Sequence, residues 1–375
     1  MAREGAALNR TTRHPGTSLY RSIVVFLLAA ALLLLTAALL RPGTALAQLN
    51  PGSIATSSVT LAIRSVGDPL PRIQCTQGYT ASVYAEGLSS PDGLALSPAG
   101  VLHVAEETAG RVSQIGPAGS ITPVITGLAS PEGIAFDDAA NLYVVEDIQA
   151  GRLVKRAPNG VTTTLATDLE APEGVVWASE DRLYVTESNI QFVTNPLNLR
   201  TRIAVVSSSG AVTRVITHTP AVSGFNVTFW SYAGLSIGPD GLLYVTNELS
   251  GKALTRTVGP LTFTLYTTDS IFSVNPAAGA RTLFARDLVA PEGLRYSAGG
   301  EFPLYVAEED IGGGAGRLSR VESDGSHTPL CTGFFSIEDV AIDQQGNLYV
   351  SEDTSGLVIR IKSKDQVWLP LILRQ

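Results

Sequence analysis

Several ways of building a functional site are closed to this sequence because the residues are too few. Two cysteines, Cys75 and Cys331, stand among 375 residues, too few for a metal knuckle or a disulfide framework. Past the N-terminal region only His103, His218 and His327 remain of the four histidines. Positive charge is also short, with 26 Lys and Arg against 34 Asp and Glu and a net charge of −8. Phosphate backbones are held by basic surfaces, so a nucleic-acid partner is excluded. No Gly-x-Ser-x-Gly elbow, P-loop or zincin helix occurs, and no stretch after residue 50 carries helical periodicity. What is plentiful is glycine (36), proline (21) and apolar residues (45%). That mixture suits many short strands joined by tight turns.

Residues 1–47 read as a targeting segment. Arg3, Arg10, Arg13 and Arg21 precede an apolar run from Ile23 to Leu40, broken only by Thr36, and Ala45-Leu46-Ala47 has the small-x-small form of a signal-peptidase site. The run is long for a signal peptide and just long enough to span a bilayer, so cleavage and a retained anchor both stay open. Either way the positive flank faces the cytoplasm and the rest is exported. A secreted, extracytoplasmic chain is expected, touching a membrane only through an uncleaved N-terminal segment. Residues 48–77 read as a linker. The tail, 364–375, is apolar but too short to cross a membrane as a helix.

Between these ends a phrase recurs: Pro91-Asp92-Gly93, Pro131-Glu132-Gly133, Pro172-Glu173-Gly174 and Pro291-Glu292-Gly293, with degenerate copies Tyr232-Ala233-Gly234 and Ile337-Glu338-Asp339. Their third residues are 40, 41, 60, 59 and 46 apart. A second phrase follows each in step, from Leu102-His103-Val104 to Leu348-Tyr349-Val350. A period of roughly 40–45 residues is that of one four-stranded propeller blade. The chain is therefore predicted to be all-β, a six-bladed β-propeller over 78–363. Thr80–Ala85 matches the fourth-strand pattern that the last unit lacks, so an N-terminal strand should complete the last blade and close the ring, removing open edges.

First strands line a propeller's channel, so the acids of the recurring phrase should crowd its mouth: Asp92, Glu132, Glu173, Glu292 and Glu338, with Ala233 in the remaining blade. Like charges so close must share protons or take up cations. Hard oxygen donors favour Ca²⁺, with Mg²⁺ or Mn²⁺ as further options; backbone hydrogen bonding within the repeat is the structural alternative. A second set, Glu106, Glu146, Glu187, Asn247, Glu308 and Glu352, ends each second strand, and pairing with arginines of third strands would account for it. The longer repeat spacings place insertions on one face. Those insertions carry Phe192, Phe225, Phe229, Trp230, Tyr232, Phe263 and Tyr266, readable as an aromatic lid over a small organic ligand or as packing. Arg295, in an otherwise apolar first strand, either orients an anionic substrate or balances the acids. Cys75 and Cys331 fall on neighbouring blades, where a disulfide is open.

The Pro-[Asp/Glu]-Gly phrase followed by Leu-Tyr-Val resembles NHL-type six-bladed propellers and the gluconolactonase-like superfamily, over roughly Gly78 to Lys362. The resemblance implies a divalent metal, commonly calcium, at the top of the channel. Its ligands would be Glu173 with Glu132, Glu292 and Asp92 as candidates, and an acid ligand such as Glu173 or Glu292 would serve as base for lactone hydrolysis. The family's Asn-Gly ligand phrase is missing at all six positions. Virginiamycin B lyase, which the chain also resembles, needs a catalytic histidine, and only His218 has a position from which to reach the mouth. Two readings follow: a monomeric, metal-dependent lactone or ester hydrolase, or a non-catalytic propeller that binds a ligand or protein.

Overall fold

The computed structural model describes residues 67 and 70–364, apart from 179–181, 192–197, 220, 224–225, 229, 249–253, 259–260, 267–268, 298 and 310–315. The leader, most of the linker and the C-terminal tail lie outside the described residues. Six four-stranded antiparallel blades form the propeller. Blade 1 runs through Pro91–Leu96, Leu102–Glu106, Arg111–Ile115 and Ile121–Thr126. The inner strands of blades 2 to 6 are Pro131–Phe136, Pro172–Ala178, Tyr232–Ile237, Pro291–Tyr296 and Ile337–Ile342. Each inner strand abuts the next, and the last abuts the first. Tyr79–Glu86 pairs antiparallel with Leu357–Ser363 and supplies the fourth strand of blade 6, so the ring closes as the repeat count predicts.

The blades are held by one apolar position used six times. Leu94, Ile134, Val175, Leu235, Leu294 and Val340 follow the phrase and are at most 2% exposed. Each packs across a blade interface, as Ile134 does on Ala105 and Val112 of blade 1. Full burial of such a side chain stabilises by about 1.5–3 kcal/mol. The glycine of the phrase has a different cause. A Cβ on Gly93 would lie 2.3 Å from the carbonyl oxygen of Glu132, and one on Gly133 2.4 Å from that of Glu173. Inner strands approach too closely there for a side chain in five of the six copies, and in the sixth the position is held by Asp339.

Two features were not foreseen. The expected linker is already structured at its end: Gln74–Cys75 pairs with the outermost strand of blade 5, His327–Phe334, as a fifth strand. Leu70 and Ile73 are buried between blades 5 and 6. Cys75 faces Cys331 in that register, and the two are joined in a disulfide. The insertions of blades 3 and 4 form a sheet of their own, ordered Ala221–Ser223, Asn226–Thr228, Leu261–Tyr266, Leu254–Val258. Its central pairing, Asn226 to Thr264, is parallel.

Candidate functional site

Every inner strand opens on the same bulge. Pro91 pairs with Glu106 and Leu94 with Val104, so Asp92 and Gly93 together oppose Ala105. The break recurs between Pro131 and Ile134, Pro172 and Val175, Tyr232 and Leu235, Pro291 and Leu294, and Ile337 and Val340. A bulge puts an extra residue on one strand and re-aims its side chain. Here the extra residue is the acid. A second regularity brings up another acid. The residue after each second strand donates its N–H to the carbonyl of the residue before the recurring phrase: Glu107 to Ser90, Asp147 to Ser130, Ser188 to Ala171, Glu248 to Ser231, Glu309 to Ala290 and Asp353 to Ser336.

The mouth therefore holds two tiers of acids. Glu132, Glu173, Glu292 and Glu338 are 4–7% exposed, Asp147 is 7% and Glu248 8%. Burial pushes the Glu132 carboxyl well up, reinforced by Asp147, Asp92, Glu173 and Glu107. Burial likewise raises Glu173, with Glu248, Asp147 and Asp92 adding to it, and Glu292, with Glu248, Glu338 and Glu309 adding. Asp147 is pushed up to about 7 by burial and by Glu107, while a hydrogen bond with Glu132 works the other way. Glu248 is raised by burial although a hydrogen bond with Glu292 opposes it. The carboxylates named from the recurring phrase are thus brought together, and Glu248 fills the gap beside Ala233. Glu338 shares the Ser336 hydroxyl with Glu309, at 3.1 and 2.7 Å. Glu132 Oε1, Asp147 Oδ1, Glu173 Oε2 and Glu292 Oε1 are buried with no hydrogen-bond partner.

The other expected acids behave differently. Glu106, Glu146, Glu187, Glu308 and Glu352 have fully buried carboxylates, each paired with an arginine: Arg111, Arg152, Arg214, Arg317 and Arg72. Each also accepts the backbone N–H of the incoming linker, at Ser89, Ala129, Glu170, Val289 and Phe335. In blade 4 the neutral Asn247 accepts Ser231 N–H instead. These are rivets between linker and strand. Arginine pairing was expected, although Arg214 comes from a fourth strand and Arg72 from the N-terminal segment.

The candidate ligand contacts separate. Tyr232 is fully buried, its hydroxyl accepting from Arg281 at 3.1 Å. It occupies the proline position of the phrase, which faces the blade interface. Trp230 is half-buried under the Arg281 guanidinium, 4.2 Å from the ring centre. His218 sits on the outermost strand of blade 3, Val212–His218, against both rings. Burial, reinforced by Arg281, lowers it to about 4. Phe229 lies outside the described residues, as do Phe192 and Phe225. Arg295 does not pair with Glu292. Its guanidinium bonds Asp339 Oδ2 at 3.2 Å and the carbonyls of Leu294, Leu94 and Leu235 at 2.9, 3.4 and 3.4 Å, so it crosses the channel below the mouth. His103 and His327 are packing residues, bonded to the Val101 and Arg286 carbonyls.

The second tier was missed, although doublets announce it: Glu106-Glu107, Glu146-Asp147, Asn247-Glu248, Glu308-Glu309 and Glu352-Asp353. Neighbouring residues of a strand point to opposite sides, so one member of each doublet rivets and the other faces the mouth. Hard carboxylate oxygens left without partners fit a hard divalent cation in donor chemistry. Among the described residues, however, no three acids, histidines or cysteines already converge as a metal site, so uptake would need side-chain rotation.

No family model matches this chain, and no curated protein matches it in sequence. Solved structures share the fold. A gluconolactonase from Xanthomonas campestris is 16% identical, with a TM-score of 0.57 over 80% of this chain and 96% of its own. The PQQ domain of a pyranose dehydrogenase from Coprinopsis cinerea is 14% identical, with a TM-score of 0.58 over 77% and 97%. A calcium structure of a Trichoderma reesei carbohydrate-active enzyme of family AA12 is 12% identical, with a TM-score of 0.55 over 80% and 98%. Identities this low establish a shared six-bladed propeller fold and nothing about the reaction.

Proposed function

We propose that this chain is an exported, monomeric propeller whose mouth acids take up a divalent cation, Ca²⁺ before Mg²⁺ or Mn²⁺, and hydrolyse a lactone or ester there. The observation that carries the reading is the set of four buried, partnerless carboxylate oxygens on Glu132, Asp147, Glu173 and Glu292. Buried charge persists only when compensated. Protons alone would leave a cluster of neutral acids, whereas a cation turns the same oxygens into ligands. Glu132, Glu173 and Glu292 would hold it. When bound, the cation would polarise the substrate carbonyl.

The acids then divide the work. Glu173 Oε2 accepts a proton from water as the water oxygen bonds to the carbonyl carbon. The acyl C–O bond breaks, and the proton passes to the departing alkoxide, leaving a hydroxy acid or an acid and an alcohol. Glu248, beside Glu292 and raised by burial, would keep the far side of the mouth from accumulating charge. Activity in a lactone and ester screen should depend on added calcium and fall at least 100-fold in Glu173→Gln while the fold is retained. A broad screen that stays at background with calcium bound to the folded chain would sink the catalytic reading. Ala233 and the lack of convergence among the acids favour a second reading, a ligand-binding propeller with a structural cation. That reading predicts calcium-dependent stability without turnover.

A further inference from the structure

At the end of the channel opposite the acids, the inner strands enclose a cavity of about 260 Å³. Its walls come from the last residues of those strands, with Leu96, Phe136, Val176, Trp177 and Ile342 among them. Arg295 is the one charged residue in its lining. Drug-sized ligands occupy roughly 300–1,000 Å³, so this cup suits something smaller.

The charge at its end is incompletely used. Arg295 makes four hydrogen bonds, all from its two terminal nitrogens and two of them long. A guanidinium has five N–H donors. The fifth, on Nε, makes no hydrogen bond among the described residues. The Arg295 side chain keeps 24% exposure while that of Asp339 keeps only 9%, so the cup meets the cation more than its counter-ion. The Asp339 carboxylate is also shared, since it accepts the backbone N–H groups of Leu94 and Val340 as well as Arg295.

We propose that this cup is a second binding site, separate from the acidic mouth, for a small monoanion with an apolar body, an aryl or short-alkyl carboxylate. Its carboxylate takes the Nε–H of Arg295, and its body lies against Phe136, Val176 and Trp177. A neutral molecule of the same shape gains the apolar contact but loses the charge-assisted hydrogen bond, which is about twice as strong as a neutral one. A dianion or a sugar acid is disfavoured because the walls offer apolar surface to everything beyond the first polar group.

The test is titration of the full exported chain with benzoate, and separately with benzamide, read by calorimetry and by Trp177 fluorescence. Benzoate should saturate at least 10-fold tighter than benzamide. Ala95→Phe, which fills the cup and leaves Arg295 alone, should abolish binding. Arg295→Met with Asp339→Asn, which removes both charges together, should weaken benzoate at least 10-fold and leave benzamide unchanged. Glu173→Gln, at the other end of the channel, should leave benzoate and benzamide binding as in the wild type whatever it does at the mouth. Benzoate without a saturable signal, benzamide binding as tightly, or full binding by whichever variant folds would each overturn the proposal. Loss of binding in Glu173→Gln alone would place the anion at the mouth and overturn it equally. The benzoate and benzamide comparison needs only the wild-type chain, so it decides the matter even if both variants fail to fold.

Discussion

Two sets of carboxylates are buried on the same face of this propeller, and they differ in every respect except burial. The rivets, such as Glu106 and Glu308, have 0% side-chain exposure and sit under arginines that retain 30% and 24%. Burial alone would raise Glu106, but hydrogen bonds from Arg111, Ser113 and Ser89 bring it below the usual carboxylate range. Asp147 and Glu248 of the mouth lie only one residue further along than Glu146 and Asn247, and their carboxyls are pushed upward instead. Burial therefore says little about a carboxylate until its donors are counted. A rivet is an ion whose desolvation has been offset by hydrogen bonds, and a mouth acid is one whose desolvation still awaits a proton or a cation.

The largest effect should come from breaking a rivet. Glu308 accepts from Arg317 Nε and Nη2 at 2.9 and 2.7 Å, from the Ser319 hydroxyl, and from Val289 N–H at 2.6 Å. Glu308→Ala strands a partly buried guanidinium and a linker N–H together. Removing one partner of a buried pair costs about 3–5 kcal/mol, measurable as a lower denaturant midpoint. A loss below about 1 kcal/mol would mean the pair is no better than a surface bridge.

The disulfide should come next, because it guards a rivet. Arg72, which pairs with Glu352 and donates to the Gly333 carbonyl, is three residues before Cys75. Cys75→Ala with Cys331→Ala frees the strand that positions this arginine. Loss of a native disulfide costs about 2–4 kcal/mol. If the tether positions Arg72, adding Arg72→Ala to the double variant should cost less stability than Arg72→Ala costs in the wild type. Equal losses in both backgrounds would show that Arg72 stays in place without the tether.

The contrast also fixes opposite pH dependences. A carboxyl lowered by folding, such as Glu106, contributes stability above its unfolded pKa and loses it as pH falls through the folded value. A carboxyl raised by folding binds more protons folded than unfolded, so stability falls as pH rises from the unfolded value through the folded one. For Asp147 that window runs from 3.8 to about 7. The chelated chain should thus melt several degrees lower at pH 8 than at pH 5, and calcium should reverse most of that loss at pH 8. A melting point that is flat between pH 5 and 8 and deaf to calcium, magnesium and manganese would make the mouth acids inert.

How far these regions could be read beforehand follows from repetition. The blades, their closure by Tyr79–Glu86 and the mouth position of the phrase acids were legible because six copies stay in register and one strand is missing from the last. Glu106 and Arg111 were legible as a pair because a Gly-Arg turn follows the second strand. Glu107 and Glu248 were equally visible as doublets, but only the first residue of each was weighed. Tyr232 occupies a proline position, and the burial of Pro91, Pro131 and Pro172 shows where that position points. The parallel pairing of Asn226–Thr228 with Leu261–Tyr266 had no repeat to announce it, since two insertions far apart in sequence make it. Arg295 stands three residues from Glu292 in sequence, but blades 1, 4, 5 and 6 converge on it in the channel and its carboxylate partner, Asp339, belongs to blade 6.

The smallest expected effect carries the sharpest contrast, because its sign should be opposite to that of Glu308→Ala. Burial raises the Glu292 carboxyl and the neighbouring Glu248 adds to it, while the hydrogen bond between them works to lower Glu248. Glutamine at 292 keeps a donor toward Glu248 and deletes one ionisable group from the crowd. At low pH, where the mouth carboxyls are protonated, Glu292→Gln should leave the chelated chain within about 0.5 kcal/mol of wild type, the range of a neutral exchange. As pH rises to 8 it should stabilise the chelated chain, because a carboxyl raised by folding costs stability there and an amide does not. With calcium added the order should invert, since the wild type gains a ligand that the variant lacks. If Glu292→Gln instead destabilises the chelated chain at low pH and at pH 8 alike, Glu292 is a rivet after all, and the distinction between the two carboxylate sets fails there.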